Sequence, residues 1–318
     1  MSNTSRISFF PITFFAIIMG LTGLTLAWRA ADKYLGLSFS LEIPLTIVTT
    51  LLFLFISFIY SLKLIRHFDA VIKEFNHPIK LSFFPAFSIS LILISLVLRP
   101  YLESTSVAIF WLGTGLQLVF TLLVMSAWVN HSRFEIQHMN PAWFIPVVGN
   151  IIVPIGGVAL GQTQISWFFF SIGIIFWVVL MTIFFYRIIF HDPLPPKLVP
   201  TFFILIAPPA IGFVAYTHLQ PELDAFAQIL YGIALFLTLF LLVQLPKFAR
   251  LPFALSWWAY SFPSAGITLA SFMMAEKTGA MGYQLIAYGL FIALNALIVL
   301  LLWHTYKAIR AQGICLPE

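Results

Sequence analysis

The chain has 318 residues, of which 61% are hydrophobic and only 8% charged, whereas a soluble globular domain carries about 25% charged residues. That balance excludes a soluble protein and leaves an integral membrane protein, each crossing of which needs about 20 apolar residues. The net charge of +5 gives no case for nucleic-acid binding and reads as a topology signal with a mild attraction for anions.

Taken in order, the first apolar run, 9–28, is longer than the roughly 7 to 15 residues of a signal-peptide core, so it reads as a retained helix. Runs of spanning length follow at 41–65, 82–98, 105–128, 142–160, 166–190, 199–219, 225–244, 254–275 and 283–303. The expectation is an all-α integral membrane protein, with residues 1–318 forming a single transmembrane domain of ten helices. An even number of crossings puts both termini on one face. Twelve of the 16 basic residues fall on that face, and only Arg29, Lys33, Arg99 and Lys277 fall opposite. Both termini are therefore expected in the cytoplasm, in a multi-pass protein of the inner membrane. The single cysteine, Cys315, permits no intrachain disulfide.

Proline is distributed by parity. The odd-numbered runs hold Pro11, Pro85, Pro146, Pro154, Pro200, Pro208, Pro209 and Pro263, and the even ones only Pro44, near an end. Each odd run also has an aromatic or aliphatic residue just before a proline, at Phe10-Pro11, Phe84-Pro85, Ile145-Pro146, Val199-Pro200 and Phe262-Pro263. This suggests five degenerate copies of a helical hairpin, although prolines are also common in membrane helices generally. Bent helices expose carbonyls that lipid cannot satisfy. The expected arrangement is an inner ring of odd helices around a pore and an outer ring of even helices.

The eleven carboxylates, and every Lys and Arg, fall in loops or at helix ends, so no run has a central charge. A proton-coupled carrier lacks its usual intramembrane relay here, and no carboxylate ring marks a cation pore. The histidines read as solvated residues at the two faces, with no metal site. Polar residues inside the runs are few: Thr13, Thr22, Ser88, Ser90, Asn150, Ser261, Ser264 and Thr268 on odd helices and Asn295 on an even one. Asn150, ahead of Pro154, can either satisfy a carbonyl freed by that proline or line a pore. Gly20, Gly23, Gly149, Gly156 and Gly157 suit close helix contact. No phosphate loop, GxSxG elbow or HExxH is present, so no enzyme, catalytic residue or cofactor is expected.

Three stretches, WWAYSFP (257–263), NPAWFIPVVGN (140–150) and HPIKLSFFP (77–85), together resemble the tellurite-resistance and dicarboxylate transporter family, which includes TehA-like proteins and plant guard-cell slow anion channels. The resemblance covers essentially the whole chain. It implies a homotrimer with one pore per subunit, walled by five kinked helices and plugged by a phenylalanine of the ninth helix, which is Phe262 here. Phe262 lies eight residues past Ala254, about 12 Å in from the cytoplasmic end. Pro263 and Pro208 then count as pore-lining or kink residues, with Asn150, Pro154 and Gly20. The first and third helices lack the mid-helix proline of many relatives, so Gly20 or Ser88 is expected to supply flexibility there. The long regulatory tails of the plant channels are not seen, and control by phosphorylation of that kind is not expected. The function expected is a passive channel of the cytoplasmic membrane for small monovalent anions. The alternative is a carrier or efflux protein for dicarboxylate, sulphite or tellurite.

Overall fold

The computed structural model describes residues 6–36 and 39–316, all helical or irregular, with no strand among them. Nine helices in this set are long and apolar enough to cross a membrane. In chain order we label them α1 (Ile12–Leu35), α2 (Glu42–Arg66), α3 (Lys80–Leu98), α4 (Glu103–Asn130), α5 (Pro141–Leu160), α6 (Thr163–Phe190), α7 (Val199–Leu219), α8 (Ala225–Val243) and α10 (Met281–Arg310). The segment between the last two, α9 (255–278), is a 3₁₀ stretch, Leu255–Tyr260, running directly into an α-helix, Ser261–Thr278. It falls outside the nine. Its C-terminal turn carries Glu276 and Lys277.

Proline parity is written into the backbone. The helices α2, α4, α6, α8 and α10 are α-helical throughout, and Pro44 sits in the first turn of α2, where a missing N–H removes no bond. Each proline-bearing helix instead contains 3₁₀ turns: Ile12–Phe14, Lys80–Phe83, three stretches within α5, Val199–Ile206 and Leu255–Tyr260. A proline cannot donate to the carbonyl one turn back, and tightening to i→i+3 bonding re-pairs part of the backbone. The run Val199–Ile206, eight residues long, exceeds the usual 3 to 4 and ends just before Pro208-Pro209. In α1 and α3 the irregular turns lie at Ile12–Phe14 and Lys80–Phe83, ahead of Gly20 and Ser88, so the expected sites of flexibility are not where those backbones depart from α geometry.

Burial follows the same parity. Between 67% and 89% of the most apolar stretch is buried in α1, α3, α5 and α7, against 22% to 39% in α2, α4, α6, α8 and α10. In α9 nearly every residue from Ser261 to Ala275 is buried. Among these inner helices, α1 packs on α3 and α9, α5 on α3 and α7, and α7 on α9, while each also packs on the exposed helix that follows it. The tightest approach joins α1 to α9: a Cβ built on Gly20 would stand 2.1 Å from Ser261 Oγ, and one on Gly23 would stand 2.7 Å from the Ala265 Cβ. Only the absence of side chains lets these backbones approach so closely.

The start of α1 is fixed by an ion pair between two helix-end residues that is buried. Lys63, 3% exposed, lies 2.6 Å from Glu74, 6% exposed, because the short helix Phe68–Asn76 folds back on α2. Lys63 Nζ also donates to Phe10 O, at 2.9 Å, and Glu74 accepts from the backbone of Ile12, at 2.8 Å, and from the Tyr60 hydroxyl, at 3.1 Å. The pair thus satisfies backbone groups on either side of Pro11. Of the carboxylates read as loop or end residues, Glu318 lies outside the described residues.

Two outcomes follow from this packing. Removing one member of a buried pair strands the other, at roughly 3 kcal/mol, so Glu74→Gln should lower the melting temperature in detergent, with partial recovery in the Lys63→Met/Glu74→Gln double variant. Overpacking of Gly20 by Val should cost about 2 kcal/mol and lower the same melting temperature, while Gly115→Val, at a position with open space around it, should leave it nearly unchanged.

Candidate functional site

Where the inner helices change from 3₁₀ to α geometry they surround a cavity of about 80 Å³. Its wall is drawn only from the proline-bearing set: Ala16 and Met19 of α1, Phe83 and Ile89 of α3, residues between Phe144 and Ile152 of α5, Ile204 to Ile211 of α7, and Trp258, Ala259, Phe262 and Pro263 of α9. No lining residue is charged, and no hydroxyl, amide or imidazole side chain reaches it. The one polar atom among the lining side chains, Trp258 Nε1, donates to Thr305 Oγ1 of α10 at 2.9 Å. Such a wall offers a water molecule no polar side-chain partner.

Phe262 stands at this cavity, 9% exposed, at the first turn of the α-helical part of α9. A Cβ on Gly23 would meet its ring edge at 3.5 Å, so the glycine leaves room for the phenyl group beside α1. Pro263 and Pro208 line the same cavity. The remaining expected residues lie elsewhere. Gly20 is spent on the α1–α9 contact. Pro154 is buried in α5 without reaching the cavity wall. Asn150, fully buried, turns toward α4: its Nδ2 donates to Thr121 Oγ1 at 2.9 Å and to Val147 O at 2.7 Å. Of the two roles open to Asn150, the bonds observed are those of interhelical glue, although its partner is not a carbonyl freed by Pro154.

The sequence reading overlooked the other half of that network. Polar residues of even helices are buried well beyond Asn295, among them Thr46, Thr49, Ser106, Thr114, Gln117 and Thr121. The Pro146 carbonyl accepts from Gln117 Nε2, at 3.0 Å, and from Thr121 Oγ1, at 2.7 Å, while Ser88 of α3 donates to Gln117 Oε1 at 2.7 Å. A straight helix therefore satisfies a carbonyl of a broken one. The signal was present: Thr114, Gln117 and Thr121 are spaced three and four apart, on one face of α4.

A second and wider cavity, about 580 Å³, opens at the far ends of the inner helices and is lined by Leu26, Arg29, Leu96, Arg99, Pro100, Glu103, Ile155 and His218. Met19 and Leu26, Ile89 and Leu96, and Ile211 and His218 are each seven residues apart. Two turns carry a helix about 10 Å along while returning nearly the same face. The two spaces therefore lie along shared faces of α1, α3 and α7.

Comparison with known proteins places this geometry. The chain is 27% identical over 285 residues to the S-type anion channel SLAH2 of Arabidopsis thaliana, covering 87% of this chain but 55% of that protein. It is 27% identical to the tellurite resistance protein TehA homolog of Haemophilus influenzae, over 95% of this chain and 92% of the other. An uncharacterized transporter of Methanocaldococcus jannaschii is 26% identical over 89% of each. The chain thus spans about half the length of SLAH2 and nearly all of the bacterial relative. The profile of the SLAC1 family, described as voltage-dependent anion channel, matches residues 9–306, and the chain belongs to that family.

Proposed function

We propose that the protein is a passive channel for small monovalent anions, with its pore along the axis of the inner helices and Phe262 closing it. The observation that carries this reading is the wall of the central cavity, assembled from α1, α3, α5, α7 and α9 and devoid of any ionisable side chain, with its one side-chain donor, Trp258 Nε1, engaged by Thr305. Such a passage has no group on which a proton or cation could ride, which argues against coupled transport. It offers permeant ions only weak binding, as fast conduction requires. An anion that sheds water readily crosses an apolar constriction at the lowest cost, so iodide and nitrate should pass more easily than strongly hydrated anions.

Further supports are the contacts among inner helices, from which we infer a closed ring of five, and the sequestering of prolines in it. In this arrangement α9 crosses the membrane with the nine apolar helices, giving ten crossings, and both termini lie in the cytoplasm, where most basic residues are. The apolar outer faces of α2, α4, α6, α8 and α10 meet lipid of the inner membrane and, in the homotrimer we propose, neighbouring subunits. The relative named as the S-type anion channel SLAH2 agrees with this reading.

Iodide efflux from liposomes holding the purified protein tests it. Phe262→Ala should raise the efflux rate by on the order of tenfold, equivalent to about 1.4 kcal/mol off the barrier, with Phe262→Leu in between. Unchanged efflux in a well-folded Phe262→Ala variant rejects the gate. Saturable uptake that depends on a proton or sodium gradient would instead favour a carrier for dicarboxylate, sulphite or tellurite.

A further inference from the structure

The central cavity has no charge with which to choose its ions, so selection by charge falls to the mouths. At the wide cavity opposite the start of α1, several charges are already cancelled. Arg29 is held by Glu42, at 2.6 Å, and caps the C-terminal carbonyls of Leu96 and Val97, at 2.9 and 2.8 Å. Lys33 pairs with Glu276 at 2.7 Å. Lys277, from α9, donates to Pro221 O, and Asp224, before α8, accepts from the Tyr216 hydroxyl and the Ala227 backbone. The helices α5, α6 and α10 bring no charged residue to this end, whereas Asp32, near the end of α1, and Glu222, in the loop before α8, are further carboxylates there, outside the cavity wall and in no ion pair among the described residues.

Arg99 and Glu103 remain on the cavity wall. The Arg99 guanidinium donates through Nη2 to Ala159 O, at 2.7 Å, and has no carboxylate within salt-bridge distance among the described residues. Its other N–H groups are free to meet an anion. His218 adds a switchable charge. Its Nδ1 lies 2.8 Å from Val214 O, so that nitrogen carries a proton and Nε2 is the atom that gains or loses one.

We propose that this vestibule is an anion-capture site for chloride-like ions, with Arg99 as its fixed charge, His218 as a proton-dependent one and Glu103 as a counterweight. The proposal rests on the path inferred above, since a captured ion stands about two helical turns from the central cavity on faces shared with it. Acid on this side strengthens capture: protonated imidazole adds positive charge to the cavity wall that holds the guanidinium, whereas Glu103 offsets part of it.

Chloride-35 NMR line broadening on the purified protein in detergent reads capture without transport, so it stands apart from the fate of the gate. Chloride affinity should fall about fivefold in Arg99→Gln, the factor a unit charge exerts at about 4 Å in water, and be largely retained in Arg99→Lys. It should rise in Glu103→Gln. Affinity in the wild type should increase between pH 8 and pH 5, a trend that His218→Asn removes. Wild-type affinity in a folded Arg99→Gln variant, unchanged or weaker binding in Glu103→Gln, or an intact pH trend in His218→Asn would each overturn the site. If instead these changes appear while Phe262→Ala leaves iodide efflux unaltered, capture stands and the proposed gate falls.

Discussion

A carbonyl deprived of its helical partner has to find another donor, and hydrocarbon has none to give. That constraint accounts for the partition of this protein into two kinds of helix. The segments with prolines inside them, and α1 with Pro11 just before it, are drawn inward, where 3₁₀ turns, neighbouring side chains and close backbone contact absorb the disruption. The others are left exposed as plain α-helices. At the junction of α and 3₁₀ turns in α5, the Pro146 carbonyl takes donors from Gln117 and Thr121 on the helix outside it.

Irregular backbone also makes space. Continuous α-helices of this composition would interdigitate to native density, whereas the tightened turns beside Ile204, Ala207 and Trp258 displace side chains from the axis and leave the cavity near Phe262. The wall is apolar because the polar groups that broken helices require are supplied from behind, by α4 and by the Lys63–Glu74 pair. Structural polarity sits on the outside of the inner helices. Their inner faces are left to a surface that holds nothing tightly.

Much of this was legible in residue order. Apolar run lengths give every helix start to within three residues, though α1 and α10 each run seven residues past the expected end, proline parity separates buried from exposed helices, and Phe262, Pro263 and Pro208 meet at one cavity. What escaped reading depended on tertiary closure. Lys63 and Glu74 look like ordinary helix-end charges until the short helix Phe68–Asn76 folds back and buries both. Gln117 and Thr121 are lost in an apolar run unless their three- and four-residue spacing is tracked around α4. The direction of Asn150 turns on a backbone that alternates between α and 3₁₀ within four residues, which no regular periodicity describes. The clash a Cβ on Gly20 would make with Ser261 places that glycine in the α1–α9 contact. The shortfall of α9 in apolarity comes from its first half, where Trp257, Trp258, Tyr260, Ser261, Pro263 and Ser264 crowd together.

The glycine-mediated seam between α1 and α9 bears on how Phe262 could move. With Ser261 and Ala265 wedged against Gly20 and Gly23, the backbone that carries the phenyl group is a post set in masonry, and in the gate proposed above the leaf would swing about its own two side-chain torsions. Such a swing uncovers little fresh surface, so shut and open forms would share nearly one heat capacity, and their exchange would keep the tempo of ring rotamers rather than of rocking domains.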